Sequence, residues 1–282
     1  MSQVSYGVAD GIARLTLENP AKKNPLSLAV LDDILAHLQR AEAEGARVAV
    51  VRGAGDSFCA GYNLDPSGRV DYASTSGIVD DVKQLQRLAD RLKAIRQSPL
   101  PVIAQVHGYC FAGGTDLMLA ADVAIVAQDA KIGVPNVRSL GISLLSTLWP
   151  LAMGPMRAKM MMFTGDWISG AQAERWAMVG LAVPAEELEP SVMAFASRIA
   201  GMPADLVKPV KRAMNRAFDM IGVDQLVAAA VEIDAISHFS SPVVDFWKMA
   251  REDGLKTALR AREQPFDGNL LSRLADQSAC AK

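Results

Sequence analysis

Three short runs, "VAVV" at 48–51, "VIAQV" at 102–106 and "VAIVA" at 123–127, are apolar at nearly every position instead of at alternate ones. A strand with one wet face alternates apolar and polar residues. A continuous apolar run of this length needs cover on both faces, as in a parallel sheet under helices. The intervening segments supply those helices. Ser27 is placed to cap a helix carrying Leu31, Ile34, Leu35 and Leu38. Ile78, Val82, Leu85, Leu88, Leu92 and Ile95 form one stripe at steps of three and four, ended by Pro99 and Pro101. Upstream, "VSYGVADGIARLTLEN" alternates on both sides of Asp10-Gly11, the pattern of a hairpin with a tight turn. "DVAIVAQDAKIGV" reads as two short extended pieces. Strands alternating with helices to about residue 140 predict an α/β fold with largely parallel pairing. From "SLLSTLWPLAMG" onward nearly everything reads helical. The expected layout is an α/β body over residues 1–200 and a helical C-terminal region over 201–282.

Charge and cysteine usage narrow the partners. The 29 basic residues against 31 acidic ones leave a formal charge of −2, which gives no field for nucleic acid or an anionic membrane. Cys59, Cys110 and Cys280 are odd in number and lack metal-ligand spacing, so neither a disulfide framework nor a metal site is expected. "MSQVSYGVADGIARL" lacks the basic and apolar blocks of a signal peptide, and the apolar stretches are too short or interrupted to span a bilayer. A soluble, cytoplasmic protein is the expectation.

Two loops share one design, a strand running into a small-residue turn and then a helix. In "GDSFCAGYNLD", Gly61 lets the chain turn so that the Tyr62 N–H points into a cleft; in "HGYCFAGGTDLMLAAD", Gly113-Gly114 does the same at a helix start. The first N–H groups of a helix have no intrahelical partner, and the dipole favours negative charge there. Two such donors converging on one point make an oxyanion hole; the plain alternative is a pair of turns. Asp116 then has two readings, a half-buried base with a raised pKa or a cap on its own helix. His107 stands at a strand end, as a structural histidine or a cleft residue. His37 reads as surface. His238, with Glu232 and Asp234 nearby, either enters the cleft or belongs to a polar helix face or subunit contact. Cys59 and Cys110 lack a matching histidine pattern and read as packing residues.

"SFCAGYNL", "HGYCFAGGTDLMLAAD" and "AKIGVPNVRSLGI", in this order, with "NPAKKNPLS" before and "RAKMMMFTGDWISGAQAERWAMVGLAVPA" after, resemble the crotonase (enoyl-CoA hydratase/isomerase) superfamily over most of the chain. The resemblance implies a crotonase-type ββα spiral core with a C-terminal helical oligomerisation region, assembled as a homotrimer or dimer of trimers. It implies an acyl-CoA thioester substrate whose enolate is held by the N–H groups of Tyr62 and Gly113. Coenzyme A would lie along Ala21, Lys22, Lys23 and Ala60, where lysine charge suits its phosphates. Phe266 matches an aromatic that can complete a neighbouring subunit's CoA site. No metal and no permanently bound cofactor are implied; coenzyme A arrives as part of the substrate.

The chain departs from the family where hydration chemistry sits. Hydratases use two glutamates as acid and base, and the matching positions here are Asp116 and Asn136, after Gly133-Val134-Pro135. Aspartate is one methylene shorter, and asparagine cannot accept and return a proton. Relatives that isomerise carry a further downstream acid, whereas "VRSLGISLLSTLW" has none. Arg138 is placed to pair with Asp116 or an acyl carboxylate. The expectation is an enoyl-CoA hydratase-like enzyme, the alternatives being an isomerase or hydrolase of the same superfamily, or an acyl-CoA-binding protein without turnover.

Overall fold

A computed structural model describes residues 3–65, 77–266 and 268–274. In chain order the elements are β1 (Val4–Ala9), β2 (Ile12–Leu17), α1 (Leu28–Ala43), β3 (Val48–Gly53), α2 (Gly77–Arg96), β4 (Val102–Val106), β5 (Tyr109–Phe111), α3 (Gly113–Ala120), β6 (Val123–Ala127) and β7 (Lys131–Gly133). There follow α4 (Trp149–Met153), α5 (Pro155–Thr164), β8 (Trp167–Ser169), α6 (Gly170–Arg175), β9 (Leu181–Val183), α7 (Leu188–Ala200), α8 (Ala204–Met220), α9 (Val223–His238), α10 (Ser241–Glu252) and α11 (Leu255–Glu263).

The main sheet has six strands in the order β1-β2-β3-β4-β6-β9, and every pairing after the β1–β2 hairpin is parallel. Ala9 faces Ile12, so Asp10 (φ 53°) and Gly11 (φ 74°) make a two-residue turn of the primed kind that matches strand twist. All of β4 and nearly all of β3 are buried, as their unbroken apolar runs require. Helix α7 covers β3, β4 and β6, while α1 packs on β1 and β2 and is capped by the Ser27 hydroxyl at the Val30 N–H. A second sheet of three strands, β5-β7-β8, stands beside the main one.

Two strands, β8 and β9, lie in the stretch that the sequence presents as helical. Each is three residues long, too short for a period of two to register. The boundary at residue 200 falls between α7 and α8, yet α9 packs on α2 and sends Val231 and Ala235 into the main core. Helices α10 and α11 build a separate small cluster around Phe246 and Trp247. Among the described residues no single helix is long and apolar enough to cross a membrane; α9 and α10 reach that threshold only as a pair bent by 63°.

Helix α8 is tied to the sheet by a charge. Lys211 Nζ donates to Asp122 Oδ2 at 2.7 Å and to the Leu100 carbonyl at 2.8 Å, and the same carboxyl oxygen accepts the Val102 N–H at 2.7 Å. Burial pushes both groups toward neutrality, Lys211 downward and Asp122 upward. Replacing Lys211 by Met leaves Asp122 without its cation. The expected loss is roughly 2–3 kcal/mol in urea unfolding, below the range for fully buried pairs because Asp122 keeps some access to water. A loss under about 0.5 kcal/mol, the scale of an ordinary surface substitution, would show that the pair does not hold α8 in place.

Candidate active site

The two glycine loops are laced together before any side chain is considered. Phe58 N–H donates to the His107 carbonyl at 2.8 Å, Cys59 N–H to Tyr109 at 2.9 Å, and Phe111 N–H returns to Cys59 at 3.0 Å. This contact admits no side chain at its closest points. A Cβ on Gly114 would stand 2.3 Å from the Cys59 carbonyl oxygen. Between the strand and α3, Ala112 takes φ 48° and ψ −114°, a backbone state that costs a non-glycine residue about 1–3 kcal/mol. It is held there by its own N–H, donated to Gly133 at 3.0 Å, and it orients the first turn of α3. Among the described residues, neither the Tyr62 N–H nor the Gly113 N–H has an acceptor. The loops adjoin closely, since a Cβ on Gly61 would be 3.9 Å from the Gly113 nitrogen.

Asp116 lies one turn into α3 with no exposure to water. Its Oδ1 accepts the Leu145 N–H at 3.0 Å and the Ser143 hydroxyl; its Oδ2 accepts the Tyr62 hydroxyl at 2.8 Å. The carboxylate therefore does not cap its own helix, and the capping reading gives way. Burial raises its pKa from the ordinary value to about 6, against the lowering effect of these donors and of the Leu144 N–H. The Tyr62 ring, packed against Gly113, stands between Asp116 and open space. Tyr62 borders the cleft, and Asp116 is not among the residues that do.

The cleft measures about 890 Å³ and is walled by Leu26, Leu64, Leu85, Leu88, Ile142 and Leu144. Asn136 also borders it. Asn136 Nδ2 donates to the Gly141 carbonyl at 3.2 Å, and its Oδ1 is buried without a partner. Lys22 and Ala60 stand on the border, but Ala21 and Lys23 do not. Lys23 is turned onto Asp56 at 3.2 Å and over the Tyr109 ring at 4.6 Å, so its charge is already engaged. Phe266 stacks on Arg138 of its own chain, 4.0 Å from guanidinium to ring centre, away from its own cleft.

Arg138 pairs with neither Asp116 nor open space. It bonds Asp166 at 2.8 Å, the Thr164 carbonyl at 3.1 Å and Glu263, which locks the end of α11 to the second sheet. His238 is not on an exposed polar face. It is buried and borders the cleft beside Asp81 and Asp234, while Glu232 is exposed. His107 bonds the Gly55 carbonyl at 3.0 Å, as a structural histidine does. His37 is half-buried and stacks on Tyr6 at 4.9 Å, further inside than a surface residue. The Cys59 and Cys110 thiols are buried and pushed upward, Cys59 to about 12, so neither supplies a thiolate.

Ser143 and Asp81 carry no motif that marks them in the sequence, and Ala112 lies within "HGYCFAGGTDLMLAAD" with nothing there to show its backbone strain. Ser143 lies in an apolar stretch, and Asp81 interrupts the apolar face of α2 one turn before Leu85; only the fold shows what they meet. The Tyr62→Phe variant removes one of the donors to Asp116. The Asp116 pKa should then rise further above about 6, seen by carboxyl-carbon NMR titration of labelled aspartate; no movement would mean that the phenol is not a significant donor.

The sequence model of the enoyl-CoA hydratase/isomerase family matches residues 7–241. The chain is 30% identical over 207 residues to the mouse protein enoyl-CoA hydratase domain-containing protein 3, mitochondrial, covering 70% of this chain. It spans 65% of the length of that relative, and likewise of its rat counterpart. A probable enoyl-CoA hydratase of Rhodobacter capsulatus is 32% identical, over 75% of this chain and 80% of that protein. A crystal structure of enoyl-CoA hydratase from Mycobacterium smegmatis superposes with a TM-score of 0.89 at 31% identity, covering 95% of each chain.

Proposed function

The chain belongs to the enoyl-CoA hydratase/isomerase family, and on that premise we propose that it adds water to 2-enoyl-CoA thioesters through one buried carboxylate and a tyrosine. The observation that carries this reading is the bond from the Tyr62 hydroxyl to Asp116 Oδ2 at 2.8 Å, beside two backbone N–H groups that lack acceptors.

The thioester oxygen is placed against the N–H groups of Tyr62 and Gly113. Preorganised donors of this kind stabilise developing negative charge, and removal of one from such a hole costs about 3–4 kcal/mol of barrier. Water stands against the Tyr62 oxygen with one O–H directed at the orphaned Oδ1 of Asn136. As the water oxygen bonds to C3, its proton passes to the Tyr62 oxygen and the phenol proton passes to Asp116. The π electrons move to the thioester oxygen as enolate. Collapse of the enolate draws the proton back through Tyr62 to C2, so one water is added and the protein is restored. Burial holds the Tyr62 pKa well above the ordinary phenol value, so the phenol passes a proton without resting as phenolate. Asn136 takes part only by orienting, which a side chain that cannot titrate is able to do.

Lys22 and Ala60 are assigned the coenzyme A end of the cleft, with Ala21 and Lys23 beside them. Phe266 is assigned to the neighbouring subunit of a trimer-based assembly in the cytoplasm. Support for assembly comes from exposed apolar side chains at helical spacing on α8, Leu206, Val210, Met214 and Phe218, with Met160 and Phe163 on α5. Light scattering after gel filtration should give a mass of three chains or a multiple; a monomer at micromolar concentration overturns that part.

Hydration of crotonyl-CoA, followed by loss of the conjugated thioester absorbance, tests the reaction. Asp116→Ala should lose about 100-fold or more in kcat with the fold intact, the scale of a general base. The base must be unprotonated, so the wild-type rate should fall as pH drops through about 6. Thioester binding without hydration would sink the hydratase reading and leave isomerisation, hydrolysis or a non-catalytic binding role.

A further inference from the structure

A histidine between two carboxylates stands in the wall of the cleft, where a plain alkyl chain would need only hydrocarbon. Asp81 comes from α2, and Asp234 and His238 from α9. His238 Nδ1 lies 2.7 Å from Asp81 Oδ2 and its Nε2 lies 3.4 Å from Asp234 Oδ1, with all three side chains at most 5% exposed. The Ile142 N–H donates to Asp234 Oδ1 at 2.6 Å, and the Ser237 hydroxyl reaches the same oxygen at 3.3 Å. Among the described residues no donor reaches Asp234 Oδ2, although the residue is buried and borders the cleft.

The loop in front of this group approaches it closely on the Oδ1 side and leaves Oδ2 without a donor. Gly141 has φ 100°, and a Cβ there would lie 2.4 Å from Asp234 Oδ1 and 2.6 Å from His238 Nε2. Any other residue would clash with Asp234 and His238 and push the loop off them. The same loop holds Asn136, whose Oδ1 is a second acceptor without a donor. Burial, with Asp116 and Asp81 nearby, raises the Asp234 pKa to about 7 against the lowering effect of His238.

An acceptor sealed against hydrocarbon loses its water without replacement, which costs about 1–3 kcal/mol. A hydroxyl on the incoming chain removes that cost, since it donates to Oδ2 when Asp234 is ionised and accepts from it when Asp234 is protonated. We propose that Asp234, oriented by His238 and Asp81, is a recognition site for a hydroxyl group on the acyl chain, making hydroxylated acyl-CoA thioesters the preferred class. This rests on the acyl-CoA reading above and extends it.

Calorimetric titration with saturated thioesters tests the proposal without requiring turnover. The ligands are butyryl-, pentanoyl- and hexanoyl-CoA, their ω-hydroxy counterparts, and the corresponding ω-methoxy ethers. At a pH well above 7, where Asp234 is ionised and can only accept, the hydroxyl form should at one chain length or more bind about tenfold tighter than the alkanoyl form, and the methyl ether, which cannot donate, should lose the advantage. In Asp234→Leu the ratio should fall to within twofold of unity; if that variant does not fold, the methyl ether decides. Equal binding of hydroxyl and alkanoyl forms at every length overturns the hydroxyl site and leaves the acyl-CoA reading standing. No binding of any thioester overturns both.

Discussion

Placing the Asp116 carboxyl group where no water reaches it imposes a demand that several separate parts of the chain must meet. An ion taken out of water carries a penalty of several kcal/mol unless donors surround it. The donors come from two distant segments: the phenol of Tyr62 from the first glycine loop, and the Ser143 hydroxyl and Leu145 N–H from the stretch beyond Asn136. Each bond fixes the backbone that carries it. Tyr62 is therefore held with its ring on Gly113, which sets the two unpaired N–H groups side by side. The two unpaired N–H groups and the carboxylate are parts of one arrangement.

That arrangement needs two sheets to meet at short range. The first loop runs along β5, which belongs to the small sheet, while the strand before it, β3, belongs to the large one. Glycine at 114 allows the two main chains to touch, and the strain at Ala112 is offset by its bond to Gly133 on β7. Strain of this sort persists only where surrounding contacts over-determine the backbone, and it gathers at sites that do chemistry. Here it coincides with the start of α3, where an unpaired N–H and the helix dipole act in the same direction.

Much of the architecture was legible because it depends on local pattern. The runs at 48–51, 102–106 and 123–127 are parallel strands, the two amphipathic stripes are α1 and α2, and Asp10-Gly11 is the hairpin turn. The family motifs located the loops and Asp116. The strands β8 and β9 were missed because three residues carry no period. Arg138 was misplaced because nothing local shows that Asp166 and Glu263 converge on it. The sequence leaves His238 and Asp234 open between the cleft and a polar helix face and does not bring in Asp81, because the members of this group lie 157 residues apart at the extremes and meet only when α9 docks on α2. Asp81 falls in line with Leu85, Ala89 and Leu92 on α2, and Asp234 and His238 with Ala230 and Val231 on α9; sequence pattern shows that a polar residue interrupts an apolar face, not which residue of another helix it will meet there.

The cleft also carries a cost that runs against stability. Asp116 and Asp234 both titrate higher in the folded chain than their ordinary value of 3.8, at about 6 and about 7. Between those limits the folded protein binds more protons than the unfolded chain, so stability falls as pH rises through the window from about 4 to 7. Every tenfold change in proton affinity corresponds to about 1.4 kcal/mol. A leucine at either position would remove this penalty, together with the buried acceptor oxygens and a proton affinity close to neutrality. Their burial by α2, α9 and the 141–145 loop is what creates that affinity, and the same helices supply the apolar contacts that offset its cost. The ionisable groups are thus set where water is excluded, because only there does desolvation move a carboxyl into the range in which it exchanges protons near neutral pH.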